Sequence, residues 1–406
     1  MDTSLKWQNF PGEIMELAFG YLEEDSDIKN CRLVCSNWNT ATFKRGIRVA
    51  LGSAGRCEKL INDLVVFPQL AAKIRKLYIS YINEDPIDPD MFILVLNKCT
   101  YIEKLRFCIN QTGEQYLLAL FDETPHISRM KEIAVDNVKS CSTPIRISYM
   151  LINFAYRNSI TVLEISDVRD ATLSGIFAGW QTCLMSECRE NPRLATALNF
   201  MAEACHTLTE FASKFPKLKF LKVQPGLLSD DIDITALMAT NNCTLETLHL
   251  SSSHCYLHVK KPFHSWPNTN PYNSLTELYI SGLGICAETL ECIMTFTNLK
   301  KLFIKLIVPS ALYEYSRFNR DKTRLLVDRF TSFCNTIKNV EVDMAYETFA
   351  EDNAFAERQL VIKDGRSIDK EYKGSDLSLF FTKAFNIEGY DITNPIVIIH
   401  DDDDYE

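Results

Sequence analysis

The chain has 406 residues, 46% of them hydrophobic and 24% charged, and a formal net charge of −10. That negative balance argues against a general phosphate-binding surface, so no nucleic acid is expected as a partner. No apolar run approaches the ~18 residues of a membrane helix, and no basic stretch leads into an apolar core at the N-terminus. The expectation is therefore no membrane association, and a cytoplasmic or nuclear location. The 14 cysteines are scattered and form no C-x-x-C pair, which points to buried reduced thiols rather than a disulfide framework.

Residues 7 to 45 read as three short helices. Pro11 suits a first helical turn. Ile14, Leu17, Ala18, Tyr21 and Leu22 come next at the spacing of one helical face, with Met15 and Phe19 apolar beside it. Only Glu13, Glu16, Gly20 and Glu23 form a polar stripe, so this helix needs cover on more than one side. Asp25 or Ser26 caps a second helix with Ile28, Cys31, Leu33 and Val34, and Ser36 caps a third with Trp38 and Ala41. So short a segment cannot bury this much apolar surface in itself. The excess predicts a docking face for another protein.

Phe10-Pro11-Gly12-Glu13-Ile14, Tyr21-Leu22, Asp27-Ile28, Cys31-Arg32-Leu33-Val34-Cys35 and Trp38-Asn39 together resemble an F-box. The usual opening is Leu-Pro-x-Glu-Ile; Phe10 stands here where Leu is usual. The resemblance covers about a tenth of the chain. It implies docking on a Skp-type cullin adaptor protein through Pro11, Ile14, Leu17, Leu22, Leu33, Val34 and Trp38.

Residues 49 to 73 are read as a linking helix and the N-terminal cap of a repeating array. From residue 74 one pattern returns: apolar-x-x-apolar-x-apolar. It begins at Ile74, Ile102, Met130, Ile160, Leu218, Leu245, Leu275, Leu299 and Ile337. Most intervals lie near 28 residues; the one from Ile160 to Leu218 is twice as long and holds a degenerate turn or longer helices between residues 167 and 216. Each short strand has one apolar face, and helix-like stretches such as Met91 to Leu96 lie between them. No unit can bury its own face, so neighbours must stack. The period and the L-x-x-L-x-L core resemble an irregular leucine-rich-repeat array. A doubly wound α/β domain would need longer apolar strands and a glycine-rich turn after the first, and neither is present.

The predicted fold is therefore α/β: a three-helix F-box over residues 1–48, then an irregular leucine-rich-repeat solenoid with parallel strands and outer helices over residues 74–400. Residues 351 to 374, charged and glycine-containing, are read as an irregular excursion. Asp376 to Asn386 reads as a short helix, and Ile396 to Ile399 as a closing strand. Residues 401–406 form an acidic tail.

If places one, four and six of each unit face the helices, place five faces away from them. That row reads Tyr78, Arg106, Ala134, Glu164, Lys222, His249, Tyr279, Phe303 and Glu341. His249, Tyr279 and Phe303 are candidate anchors for a target protein. The proline-bearing stretch Ser252 to Ser274 has no helical period, and adds Tyr256, Phe263 and Trp266 to the candidates. His254, Cys255, His258 and His264 lack a second cysteine pair, so no metal site is expected. No phosphate-cradling loop, nucleophile elbow or paired zinc histidines occur, so neither catalytic residue nor cofactor is expected.

The resemblance implies a substrate-recognition subunit of a Skp–cullin–F-box ubiquitin ligase, without an active site of its own. The alternative is a non-catalytic leucine-rich-repeat scaffold anchored by its F-box, with no ubiquitylation. A partner's lifetime lengthening when the box is mutated would separate the two.

Overall fold

In the computed structural model the described residues are 46–80, 85–108, 114–123, 127, 129–136, 143–168, 208–225, 232–233, 244–251, 256–258, 274–282, 284–285, 287–310, 320–349, 355–363 and 365–372, with residues 30, 31, 33, 34, 38 and 196. They form a mixed α/β structure around one 12-stranded sheet. The strands are β1 (Ile47–Leu51), β2 (Ile74–Ser80), β3 (Lys104–Cys108), β4 (Glu132–Val135), β5 (Val162–Val168), β6 (Phe220–Pro225), β8 (Thr247–Ser251), β10 (Glu277–Ser281), β12 (Lys301–Ser310), β13 (Asn339–Phe349), β14 (Phe355–Lys363) and β15 (Arg366–Tyr372). They stand in the sheet in chain order, parallel from β1 to β13.

Parallel neighbours need crossovers, and among the described residues helices supply seven of them. These are α1 (Ala54–Val66) with a 3-10 turn over Pro68–Lys73, α2 (Pro89–Lys98), α3 (Glu114–Glu123), α4 (Thr143–Ala155), α5 (Leu208–Ser213), α6 (Ala287–Ile293) and α7 (Arg320–Cys334). Local chemistry sets their starts. The Ser53 hydroxyl accepts from the Arg56 N–H at the head of α1. Asp88 accepts from the Asp90 N–H at 2.8 Å, and Pro89 occupies the first turn of α2. Gly46, at φ +90°, turns the chain into β1, where a side chain would collide with Arg75.

The apolar places of the repeat bury as their alternation requires. Among places one, four and six from Ile74 to Val342, all are buried except Val340, which is half-buried. A second ladder runs beside them through place two. The Glu103 N–H donates to the Arg75 carbonyl at 2.7 Å, and Lys131 to Glu103, Thr161 to Lys131, Lys219 to Thr161, Glu246 to Lys219, Thr276 to Glu246 and Lys300 to Thr276 each at 2.8 Å. One backbone group per unit is thus satisfied by the unit before it.

The long interval between Ile160 and Leu218 adds no rung to this sheet. Strand β5 pairs directly with β6, Leu163 opposite Leu221 and Ile165 opposite Val223. The sheet also starts earlier than the Ile74 unit, because β1 pairs in parallel with β2 ahead of the linking helix. A second, three-stranded parallel sheet joins β7 (Ile232–Asp233), β9 (Tyr256–His258) and β11 (Gly284–Ile285), one short strand after each of β6, β8 and β10.

The irregular excursion expected over residues 351 to 374 is a correction. Strands β14 and β15 continue the sheet, β14 antiparallel to β13 and β15 antiparallel to β14, with Lys363 opposite Arg366 across a two-residue loop. Leu360 and Ile362 are buried while Gln359, Val361 and Lys363, alternating with them, are more exposed, so the segment alternates as a half-buried strand should. Gly365 takes φ +72° in the loop. The Asp364-Gly365 pair was the available hairpin signal. The helix expected at Asp376 to Asn386, the strand at Ile396 to Ile399 and the acidic tail lie outside the described residues.

Candidate functional site: the sheet face opposite the buried row

Side chains alternate along a strand, so places three, five and seven share the face away from the buried row. The register carries the expected place-five row across the sheet. Tyr78 pairs with Arg106 and Arg106 with Ala134; beyond β5, Glu164 pairs with Lys222, Lys222 with His249, His249 with Tyr279, Tyr279 with Phe303 and Phe303 with Glu341. The structure thus brings His249, Tyr279 and Phe303 together. Ring centroids lie 4.0 Å apart for His249 and Tyr279 and 6.0 Å for Tyr279 and Phe303.

Phe220 extends this strip, and the place-five row missed it. It sits at place three of its unit, yet its ring centroid is 5.0 Å from that of His249. Diagonal neighbours on one sheet face come within reach of aromatic side chains, so place three belongs to this surface as place five does. All four rings are half-buried.

Charges frame the strip in matched pairs. Lys222 bonds Glu164, Lys301 lies 2.7 Å from Glu277 and Lys363 lies 3.3 Å from Glu341. Asp343 accepts from the Gln359 amide at 2.6 Å, and Lys305 stands level with Asp343 in the register. Burial, and then the nearby Lys222 ammonium, push the His249 imidazole below its ordinary value, which favours the neutral ring near pH 7. The Glu277 carboxylate holds the Lys301 ammonium in its charged form.

A different cluster occupies the same face near its N-terminal end. The Tyr78 hydroxyl donates to Asp136 at 2.9 Å, Arg106 donates to the other oxygen of that carboxylate at 2.5 Å, and the Arg48 guanidinium lies 5.3 Å from the Tyr78 ring centre. Burial first, then the bond to Asp136, raise the Tyr78 phenol from 10.0 to about 12. A raised folded-state value means that the protonated phenol contributes stability below the unfolded value, lost as pH climbs through the folded one. Melting temperature is therefore expected to fall between about pH 10 and pH 12, and to fall less steeply in Tyr78→Phe, as read by calorimetry at each pH.

The other expected positions fall into three groups. Tyr256 lies on β9, while Phe263 and Trp266 lie outside the described residues. In the leading segment, Leu33 and Val34 are helical and exposed to 84% and 54%. Trp38 is helical and half-buried, and Pro11, Ile14, Leu17 and Leu22 lie outside the described residues. Among the described residues, no group of three or more His, Cys, Asp or Glu is placed to hold a metal ion, and no helix is long and apolar enough to cross a membrane. Cys57, Cys99 and Cys334 are buried, and burial raises each thiol to between about 11 and about 12, which keeps them protonated and unreactive at neutral pH.

No protein-family model matches the chain, and no curated protein sequence matches it.

Proposed function

We propose that the chain is the substrate-recognition subunit of a Skp–cullin–F-box ubiquitin ligase: an F-box in front, and a leucine-rich-repeat solenoid whose sheet face opposite the buried row holds the target. The observation that carries the reading is the exposure of Leu33 and Val34, 84% and 54%, inside the Cys31-to-Trp38 part of the F-box-like pattern. Two adjacent large apolar side chains left to water on one helix are what an adaptor-docking segment requires. The stacked strand–helix units and the half-buried aromatic strip support the other half of the reading.

The mechanism is proximity. One end binds the adaptor, the other binds the target, and a target lysine is held near a ubiquitin-conjugating enzyme supplied by another chain. The gain comes from effective concentration and orientation, which need no acid, base or cofactor on this chain.

The test is co-purification with the Skp-type adaptor. Pro11→Ala combined with Ile14→Asp, and separately Leu33→Asp combined with Val34→Asp, is expected to abolish it. The melting temperature of the repeat units should not move. Retained co-purification in both variants would overturn the assignment.

A further inference from the structure

Four rings cross the sheet in one line: Phe220 on β6, His249 on β8, Tyr279 on β10 and Phe303 on β12. At ~4.8 Å per strand the line is about 14 Å long. Aromatic rings at half burial are the usual material of a binding anchor.

The charges beside the line decide what it binds. Lys222, Lys301, Lys305 and Lys363 face Glu164, Glu277, Glu341 and Asp343, so cations and carboxylates balance there although the chain carries −10 overall. Three of the four cations are already held by a carboxylate. The imidazole in the line is kept neutral by burial and by Lys222. A phosphate or an acidic run would have to strip these lysines from their partners to gain an ion pair. An apolar side chain would lose nothing by settling on the rings. Ser251 and Ser281, half-buried on the same face two residues past His249 and Tyr279, add uncharged hydroxyls suited to a peptide backbone.

We propose that this strip binds an extended, uncharged peptide segment through two apolar side chains two residues apart, and does not read a phosphorylated one. Alternate side chains of an extended peptide lie ~6.8 Å apart, so one such pair fits within the ~14 Å of aromatic surface, each side chain seated between neighbouring rings. The inference rests on the reading of this face as the target-holding surface, and assigns that surface its ligand class.

The test uses the full chain and a phage-displayed library of random twelve-residue peptides. Selected peptides should share an aromatic or aliphatic pair with one residue between. A synthetic peptide of that sequence should bind with an affinity changed less than about twofold between low and high salt, because few counterions are released. A phosphoserine placed beside the pair should not tighten it. Tyr279→Ala and Phe303→Ala, made singly, should each weaken binding by about tenfold or more. Both positions are half-buried, so each variant should stay folded with stability lowered by no more than about 1 kcal/mol, and its melting temperature is measured. Selection of acidic peptides, a steep loss of affinity with salt, tighter binding of the phosphopeptide, binding indifferent to both variants, or no selected peptide would each overturn the proposal. The chain carrying Pro11→Ala and Ile14→Asp should bind the peptide as the intact chain does. Failure of the adaptor assay with peptide binding intact would therefore sink the ligase reading alone, and the converse would sink this one alone.

Discussion

Phe92→Ala is expected to cost about 3–5 kcal/mol of stability, among the largest effects of any single truncation in this chain. Phe92 lies on α2, fully buried, with its ring edge-on to two others: Phe107 on β3, 5.8 Å away at 71°, and Tyr116 on α3, 5.7 Å away at 76°. It therefore ties one strand to two successive helices. Truncation removes the transfer free energy of the ring, leaves a cavity that close-packed neighbours cannot fill, and loses both edge contacts. The Tyr116 hydroxyl also donates to the buried Ile87 carbonyl at 2.7 Å, so a relaxing Tyr116 would endanger a hydrogen bond that water cannot replace. Leu94→Ala on the same helix is the control. Leu94 is 43% exposed, and its loss should stay within about 0.5 kcal/mol. The check is the shift in urea midpoint of each variant at unchanged slope. Equal shifts would mean that α2 does not pack through Phe92.

Much of the sheet was legible because burial and strand alternation leave the same trace in sequence. Ile74, Leu77 and Ile79 announce one unit, and Ile102, Leu105 and Phe107 the next, since each set must face the helices. The row on the opposite face came from the same alternation, which is why His249, Tyr279 and Phe303 meet where expected. What alternation cannot give is pairing between distant strands. The long interval after β5 looked like a missing unit, but Lys219 bonds the Thr161 carbonyl directly, and the interval leaves the sheet without a gap. Strands β1 and β14 escaped for another reason. Their exposed faces carry Arg48 in one case and Lys363 in the other, and charge on one face of a strand hides its apolar partner face unless alternate positions are read separately. Phe220 shows the same lesson within the site, since reading one place per unit discards the diagonal neighbours that complete a surface.

Leu278→Asp and Tyr279→Ala should have opposite fates although the residues are adjacent. Leu278 is fully buried and sits between Leu248 and Leu302 in the register, both buried as well. A carboxylate there would lie among aliphatic side chains with no cation or hydrogen-bond donor of the row to meet it. The expected cost exceeds about 4 kcal/mol, enough to remove much of the stability of a typical domain, and soluble yield should collapse. Tyr279 lies between His249 and Phe303 on the other face, half-buried, with its hydroxyl only 3.5 Å from Glu277. Its truncation removes cross-strand ring contacts worth about 0.2–1 kcal/mol each and leaves no closed cavity. The chain should therefore fold, with a midpoint shifted by about 1 kcal/mol, while losing the peptide it is proposed to hold. The two variants, compared by soluble yield and urea midpoint, test the facing of the sheet itself. If Leu278→Asp melted normally and Tyr279→Ala failed to fold, the rings would belong to the core, and the surface on which target recognition is proposed would not exist.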